Sequence, residues 1–439
     1  MTKPIVTIIL SVFALSVWAD DSGQCGYDLT WTYVEETKTL TISGTGAMYT
    51  HSNLFQEYPW FYRVYDKTEK VVIEDGVTTI GDGAFNLFSK LTSIEIPNSI
   101  TSIGEKAFGS CVSMTSFVLP PSVETIDKEV FYDCKNLTSL SVDGANPVFD
   151  SRGGCNAIIK TENNELVLGC ATTVIPDDVT RIGNCAFKGC SGLTSITIPQ
   201  GIKSIGTEAF WGCSNLTSIE IPSSMNGIGD AVFSGCSNMV SVTLPNTITS
   251  IGAYAFMECS SLTSIEIPSS VTFINLYAFA HCSSLTSVEI PGNVKELAQG
   301  AFQQCKGLQM VKIADGATTL KNNVFKDCTS LTDLYCYSEQ LPSAEESAFM
   351  NASSQATLHV PASALDAYKS TTPWSNFANI VALTNEETGS EENVRIEKLK
   401  NERIYNLQGQ RVSVNSVFSV SSVLPKGVYI VDRKKVWVK

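Results

Sequence analysis

The sequence predicts a repeat solenoid, a rod of stacked coils of chain, because several residue types recur together with a 23-residue period. Cysteine and leucine or methionine keep the same step as phenylalanine, and a short alternating strand follows each leucine. One such unit has too few apolar side chains for a core of its own, so the units must stack and share one. The recurring phenylalanines are Phe85, Phe108, Phe131, Phe187, Phe210, Phe233, Phe256, Phe279, Phe302, Phe325 and, one residue late, Phe349.

Each unit is expected to contain one strand and one tight turn. Leu262-Thr-Ser-Ile-Glu-Ile267 alternates apolar and polar residues, which predicts a half-buried strand, and Pro268 ends it because proline lacks the N–H of the ladder. Ala253–Glu258 is long enough only for one helical or 3₁₀ turn. Successive strands then pair in parallel about 4.8 Å apart, and residues 71–383 form about eleven or twelve coils.

The unit resembles the BspA-type leucine-rich repeats of surface and secreted proteins, chiefly bacterial. The resemblance rests on Leu-x-x-Ile-x-Ile-Pro-x-Ser-Val, with Ala-Phe-x-x-Cys before the next leucine, and covers about residues 71–383. It implies a right-handed superhelix with a parallel β-sheet on the concave face and the short helical or 3₁₀ turns on the convex side. It also implies, less directly, adhesion to host or bacterial surface proteins.

Residues 1–70 do not follow the repeat. Lys3 followed by the uncharged run 5–17 and Val17-Trp18-Ala19 has the layout of a cleaved secretory signal, residues 1–19. Residues 20–70 contain the alternating strands 28–34 and 39–44, which predict a β-rich cap over the open end of the solenoid. No later stretch is long and apolar enough for a membrane span, so no transmembrane segment is expected in the mature chain.

The rhythm breaks once, because the spacing from Phe131 to Phe187 is not a multiple of the repeat. An Asn163-Asn164 turn between apolar stretches predicts a β-hairpin insertion at about residues 143–175. If the turn is centred on Glu162-Asn163, Cys155 and Cys170 face each other across the hairpin, and a cross-strand disulfide and two free thiols are then both open. A turn centred on Asn163-Asn164 shifts the pairing and leaves two free thiols.

The C-terminal residues form three further segments. Leu358–Phe377 has the aromatic content of a terminal cap, and the acidic residues 384–392 are typical of a linker. Residues 393–439 carry a net charge of +7, which leaves −21 for the rest of a chain whose total is −14. Arg403–Val412 and Leu424–Val431 resemble the C-terminal sorting domain of the type IX secretion route, a resemblance that implies a small β domain recognised by an outer-membrane translocon of a Gram-negative bacterium. The alternative is a basic β module that binds polyanions or docks on the acidic solenoid.

Composition excludes several functions. The acidic balance argues against nucleic-acid binding, which needs a basic surface. Three histidines, with no Gly-x-Ser-x-Gly or His-Glu-x-x-His motif, predict no enzyme, no metal site and no cofactor. His281 beside Cys282 suggests a thiol–imidazole pair, but other coils place unrelated residues at that position. The chain is therefore expected to be non-catalytic.

The recurring phenylalanines and cysteines are interpreted as a buried structural ladder. Side chains at equivalent positions of stacked coils point the same way, which disfavours disulfides, and a line of ligands does not make a zinc tetrahedron. Buried thiols acting as small apolar fillers are the better interpretation. The ladder includes Phe108, Phe210, Phe233, Phe256, Phe279, Cys213, Cys236, Cys259 and Cys282.

The outward side chains of the strands are the candidate binding surface. Glu266 and Glu289 are expected one strand spacing apart, where like charges repel unless a cationic partner uses them. The alternative is a solvated polar surface that prevents sheet aggregation. The candidate residues of the concave face are Glu95, Thr197, Glu220, Thr243, Ser264, Glu266, Ser287, Glu289, Lys312 and Tyr335.

Together these features predict a secreted or surface-displayed protein of a Gram-negative bacterium that binds a macromolecule, a host matrix or cell-surface protein, through its extended face. Residues 393–439 are expected to engage the secretion machinery. The alternatives from other classes are a glycan-binding module, for which Tyr335 is nearly the only aromatic platform, and an inert surface scaffold.

Overall fold

The computed structural model describes residues 19–49, 58–316, 319–352, 354–384 and 387, and the backbone of four strands between residues 404 and 438. Within these residues the chain forms a parallel β-solenoid of about 13 turns. All but the last residue of the predicted signal at residues 1–19, most of the linker and much of the C-terminal segment lie outside the described residues. No helix in the described ranges is long and apolar enough to cross a bilayer.

Every coil contributes to one or both of two parallel ladders. We call the first the front ladder; it follows each recurring leucine and is interrupted in several places. Its strands are Lys70–Ile73, Ser93–Glu95, Ser116–Leu119, Ser139–Val142, Ser218–Glu220, Ser241–Thr243, Ser287–Ile290, Met310–Ile313, Asp333–Cys336, Thr357–Val360 and Asn379–Ala382. Neighbouring strands pair residue for residue at one full repeat, as in Ser287 with Met310 and Ser218 with Ser241.

The second, which we call the back ladder, follows the front strand of each coil, and in many coils a proline separates the two. Where proline is present it stops the first strand because it has no N–H, and several residues later a short strand with one inward apolar side chain resumes pairing. Its strands are Val77–Ile80, Ser102–Ile103, Thr125–Ile126, Arg181–Ile182, Ser204–Ile205, Gly227–Ile228, Ser250–Ile251, Phe273–Ile274, Glu296–Leu297, Thr319–Leu320 and Ser343–Ala344.

The third side of each coil is a turn, which corrects the expectation of helical or 3₁₀ turns such as Ala253–Glu258. All but the last of these units have two residues with positive φ four positions apart, for example Tyr254 at 57° and Glu258 at 61°. A left-handed residue cannot continue a right-handed helix, so the chain reverses direction instead. The described helices are Phe61–Val64 and Leu365–Ser370, with 3₁₀ turns at Arg152–Gly154 and Trp374–Asn376.

The two left-handed positions recur along the solenoid. The first is occupied by Gly83, Lys106, Glu129, Cys185, Glu208, Ala231, Tyr254, Tyr277, Gly300 and Asn323. The second is occupied by Leu87, Ser110, Asp133, Gly189, Gly212, Gly235, Glu258, His281, Gln304, Asp327 and Asn351. Only some of these residues are glycine, so composition alone did not indicate the conformation.

The core is a stack of phenylalanine rings closed by tryptophans. Ring centroids of successive coils lie about one strand spacing apart, 5.3 Å for Phe256 and Phe279. Trp60 stacks on Phe85 at the N-terminal end, and Trp374 packs against Phe349 at the other. The cap strands β1 (Asp21–Gln24), β2 (Asp28–Val34) and β3 (Thr39–Ala47) form an antiparallel sheet, whose last strand pairs with the first strands of both ladders.

The chain between the coils of Phe131 and Phe187 contains three antiparallel strands, Phe149–Asp150, Ala157–Lys160 and Glu165–Gly169. Glu165–Gly169 then joins the back ladder by pairing in parallel with Arg181–Ile182. Gly169 lies so close to the ring of Phe187 that an added Cβ would be 2.1 Å from Cε1. Glycine is therefore required where the insertion meets the resumed phenylalanine stack.

The disulfide left open between Cys155 and Cys170 does not form in this structure, in which both thiols are free. The hairpin is centred on Glu162-Asn163, since Lys160 pairs with Glu165, but a bulge between Ile158 and Ile159 shifts the register by one residue toward the cysteines. Their sulfurs bond instead to backbone carbonyls, Cys155 to Ala157 and Cys170 to Asn156.

The C-terminal segment contains strands Ile404–Asn406, Arg411–Val412, Gly427–Val431 and Lys434–Val438, which form one antiparallel four-stranded sheet.

Candidate functional site

The structure places the candidate binding residues on the outward side of the front ladder. Alternation along each strand turns the leucine and isoleucine side chains into the core and the intervening side chains outward. Glu95, Thr197, Glu220, Thr243, Ser264, Glu266, Ser287 and Glu289 are exposed, and Lys312 and Tyr335 are half-buried. Parallel register sets several of them side by side, so these outward side chains form rows across successive coils.

The charges of this face are unevenly paired. Ser264 bridges to Ser287, so Glu266 and Glu289, two residues further along each chain, are neighbours. Glu289 in turn lies beside Lys312 in the ladder register. Glu95 is already paired, because Lys70 Nζ lies 2.5 Å from its carboxylate. The acidic part of the face is therefore centred on Glu220, Glu266 and Glu289.

The threonines that begin each strand use their hydroxyl hydrogens within the protein. Thr217 Oγ1 donates to the carbonyl of Thr194, and Thr286 Oγ1 donates to that of Thr263, one coil earlier. Thr92, Thr138 and Thr332 bond in the same way to the coil before them. These hydroxyls stabilise coil stacking and retain only acceptor capacity for a partner.

The C-terminal end of the front ladder contains a cluster that sequence reasoning did not assemble. His359 stacks on Tyr335 with ring centroids 4.3 Å apart, and its Nε2 lies 3.0 Å from Asp333 Oδ1. Its Nδ1 lies 3.2 Å from Glu387 Oε1, beyond the last strand. The signal was the 24-residue step that aligns His359 with Tyr335. The Tyr335 ring and the carboxylates of Asp333 and Glu387 therefore surround the imidazole at this end of the ladder.

The ladder cysteines donate hydrogen bonds between coils. Cys259 Sγ lies 3.2 Å from the carbonyl oxygen of Phe233, and the same bond recurs wherever a complete coil precedes the cysteine. Burial raises the pKa of Cys236 and Cys282 to about 12, so these thiols stay protonated. The donors are Cys111, Cys134, Cys213, Cys236, Cys259, Cys282, Cys305 and Cys328.

His281 and Cys282 do not form a thiol–imidazole pair. His281 occupies the second left-handed position of its coil, with φ of 62°. The neighbouring thiol of Cys282 donates to the carbonyl of Phe256. The cysteine therefore takes part in the ladder, and the histidine is one of many residues tolerated at the turn.

Among the described residues, Glu129, Cys185 and Glu208 form a cluster with the spacing of a metal site. All three occupy the first left-handed position of their coils. Lys188 Nζ lies 2.9 Å from Glu129 Oε1 and 2.5 Å from Glu208 Oε2, and Lys106 Nζ lies 3.1 Å from Glu129 Oε2. Two ammonium groups thus balance two carboxylates, and burial raises the pKa of Cys185 to about 12. These residues do not fit a resident metal ion, because Lys188 already supplies the positive charge between the carboxylates.

Comparison with known families identifies the repeat. The family model described as BspA type leucine rich repeat region matches in six copies, over residues 58–151, 169–286 and 249–372. These segments cover more than half of the 439 residues. No curated protein matches the chain.

Solved structures with similar chains include three bacterial proteins. A leucine rich cell surface protein from Faecalibacterium prausnitzii is 25% identical over 72% of this chain and 96% of that chain, with a TM-score of 0.45. A leucine-rich repeat protein from Eubacterium ventriosum is 22% identical over 64% of this chain and 94% of that one, with a TM-score of 0.43. The pneumococcal vaccine antigen PcpA is 14% identical over 83% and 99%, with a TM-score of 0.44.

Proposed function

This chain belongs to the BspA-type leucine-rich repeat family, and from that premise we propose that it is a non-catalytic, secreted or surface-displayed protein that binds another macromolecule through the front ladder. The observation that carries the proposal is that the outward side chains of the front ladder form rows from coil to coil, as in Glu289, Lys312 and Tyr335. Such a surface suits recognition by distributed contacts, because each coil adds one step of the same row.

The proposed partner is a host matrix or cell-surface protein with a basic patch. Glu220, Glu266 and Glu289 have exposed side chains on the front ladder, and the chain outside residues 393–439 carries −21. Complementary charge raises association rates and favours a cationic partner over an anionic one. Adhesion is the corresponding biological role.

Export is part of the same proposal. Residues 1–19 have the layout of a secretory signal, and residues 393–439 resemble a type IX sorting domain. We expect deletion of residues 393–439 to retain the protein in the periplasm, measured by cell fractionation and immunoblotting. Normal export of the truncated protein would remove the sorting role and leave a basic module.

The binding proposal is tested by offering the purified full-length protein to an array of matrix proteins and glycans at low and high salt. Saturable binding to a protein that weakens with salt is the expected result. The variant with Glu266→Gln and Glu289→Gln should bind that protein about tenfold more weakly, because two charges facing the partner are lost.

The matched control is the variant with Glu345→Gln and Glu346→Gln, which removes two exposed charges immediately after the back-ladder strand Ser343–Ala344. It should bind as the unmodified protein does. Binding to glycans alone would favour the glycan-binding alternative, and an array without saturable binding would favour an inert scaffold. An equal loss of affinity in both double variants would show that the net charge of the protein, and not the front ladder, governs binding.

A further inference from the structure

The front ladder is interrupted at the insertion by a coil that is three residues short. In intact coils the ladder cysteine and the strand-ending proline are nine positions apart, as in Cys190 with Pro199 and Cys213 with Pro222. Cys170 and Pro176 are only six positions apart. This stretch supplies the front strand in intact coils, so the loss removes roughly 10 Å of chain from the front of this coil. No strand is assigned between Val142 and Ser218 in the front ladder.

The missing chain leaves a groove of about 780 Å³ on the front face. We call this groove the notch; it is lined by residues 173–175, Asp177, residues 195–200 and residues 218–220. Val174 is 70% exposed on one side of it, and the side chain of Ile196 is half-buried on the other. A large exposed valine beside a half-buried isoleucine offers apolar area that a partner can cover.

The backbone beside the notch has unused hydrogen-bonding groups. Thr194–Ile198 has the alternating sequence of a front strand, yet in the described part of the chain no backbone N–H of residues 195–198 donates to a neighbouring coil. Ser195 and Thr197 are exposed. An exposed extended segment with free N–H and C=O groups is a template for pairing with another extended chain.

The charge of the notch is negative. Asp177 and Glu220 line it from opposite sides, both exposed, and no lysine or arginine is among the lining residues. Neither carboxylate has an ion-pair partner among the described residues, whereas Asp178, next to Asp177, is paired with Arg152. Two unneutralised carboxylates flanking an apolar groove complement a segment that presents cationic and apolar side chains alternately.

We propose that the notch docks an extended segment of a partner protein in which lysine or arginine alternates with apolar residues. The proposal rests on the proposed function, because it specifies the part of the front ladder that a partner engages and the chemistry of that partner. Main-chain hydrogen bonds to residues 195–198 hold the segment, apolar side chains cover Val174 and Ile196, and cationic side chains reach Asp177 and Glu220.

The test uses the full-length protein and a labelled synthetic peptide of alternating valine and lysine, followed by fluorescence anisotropy. Saturable binding is expected, with a matched valine–glutamate peptide failing to bind. The variant with Asp177→Asn and Glu220→Gln should bind the peptide about tenfold more weakly, since both flanking charges are lost. Val174→Trp, a change at an exposed position, should also weaken binding by filling the groove.

The variant with Glu266→Gln and Glu289→Gln is the control, because it removes two charges from the same ladder away from the notch. It should retain peptide binding. Hydrogen exchange should slow at residues 195–198 when the peptide binds. Equal weakening in both charge variants, or unchanged binding in the notch variants, would overturn the proposal.

Two further outcomes separate this inference from the broader one. If a partner from the array binds the notch variants as tightly as the unmodified protein, the notch is not its docking site. That result would overturn the notch proposal and leave macromolecular binding by the front ladder intact. If the array yields no partner but peptide binding still requires Asp177 and Glu220, the proposal of adhesion to a matrix protein is rejected and the proposal of peptide docking in the notch is retained. Peptide binding that appears only after residues 393–439 are deleted would assign the notch to the chain's own basic segment and overturn the proposal of a partner.

Discussion

The buried thiols join neighbouring coils through hydrogen bonds that an apolar filler could not make. Cys259 is fully buried, and its sulfur lies 3.2 Å from the carbonyl oxygen of Phe233. That carbonyl also accepts the backbone N–H of Cys236, within its own coil. Thiols are weak donors, but the second bond uses the remaining lone pair of a buried oxygen and links it to the next coil. The residue is therefore suited to its position by small size and donor capacity together.

Replacing Cys259 by alanine should destabilise the protein by about 1–2 kcal/mol, because a buried carbonyl loses one of its two donors and a small cavity forms. Cys259→Ser keeps a donor at the position and should cost less. Calorimetry of the three proteins measures the difference.

The control for this change is Cys190→Ala. Cys190 has the same place in its coil, but the insertion precedes it, and no carbonyl acceptor for its sulfur is found among the described residues. Its loss should cost less than that of Cys259. Equal costs at the two positions would mean that the thiol acts by volume alone.

At the scale of the element, the coils on either side of the insertion are joined by side chains where backbone bonding is interrupted. On one side of this coil, the N–H of Phe187 donates to the carbonyl of Ala209 in the next coil. On the other side, the N–H of Gly169 in the insertion donates to the carbonyl of Ala186. We call the junction between the coils of Phe131 and Phe187 the seam. Across it Lys188 donates hydrogen bonds to both Glu129 and Glu208. The ion cluster thus replaces part of the missing ladder.

The stability contributed by the cluster should fall in acid. Burial raises the pKa of Glu129, but hydrogen bonds from Lys188 and Lys106 outweigh it and hold the pKa below its usual range. A carboxyl with a lowered pKa in the folded state stabilises above the unfolded pKa and loses this contribution as the pH falls through the folded value. Thermal unfolding from neutral pH downward should show this loss in the unmodified protein and a smaller one in Glu129→Gln.

Lys188→Met should be more damaging at neutral pH, by about 3 kcal/mol, because it leaves the buried carboxylate of Glu129 facing Glu208 without Lys188 between them. The matched change is Lys128→Met, which removes an exposed lysine whose Nζ lies 3.6 Å from the carboxylate of Glu105 and should cost less than about 1 kcal/mol. Similar losses for both lysines would show that the seam cluster has no special role.

The 23-residue step predicted the stacked coils, because a period is a statement about register and every equivalent residue shares one environment. The step also placed Glu266 beside Glu289 without any structure. It could not place Glu129 near Cys185, since their spacing is not a multiple of the period and the path of the insertion sets their proximity. The bulge at Ile158 and Ile159 was equally hidden, because one extra residue in a strand leaves no sign in an alternating sequence.

At the scale of the whole molecule, the buried side chains divide into two clusters that meet at the insertion. One runs from the cap through Phe131 and includes Ile158, Leu168 and Cys170. The other begins at Cys155 and continues to Phe377. In a solenoid each coil packs only on its neighbours, so stability is local and the weakest interface divides the cooperative units.

We expect the chain to unfold in two transitions, one for the block on each side of the insertion. Trp31→Ala should lower the stability of the N-terminal block only. Trp31 is buried in the cap against Trp60, the ring that begins the phenylalanine stack. Trp374→Ala should lower the stability of the C-terminal block only, because Trp374 packs on Phe349 and donates a hydrogen bond to the carbonyl of Pro342 in that block. Hydrogen exchange followed by mass spectrometry assigns each loss of protection to its block.

The reason for this independence is that coupling must pass through the seam. The backbone ladder between the coils of Phe131 and Phe187 is replaced there by Gly169, the ion cluster of Lys188 and the short coil of the notch. Adding Lys188→Met to Trp31→Ala should therefore widen the gap between the two transitions, since it weakens the contact through which one block stabilises the other. If Trp31→Ala instead lowers protection equally from Val71 to Leu358, the solenoid is one cooperative unit and the insertion is only a surface decoration.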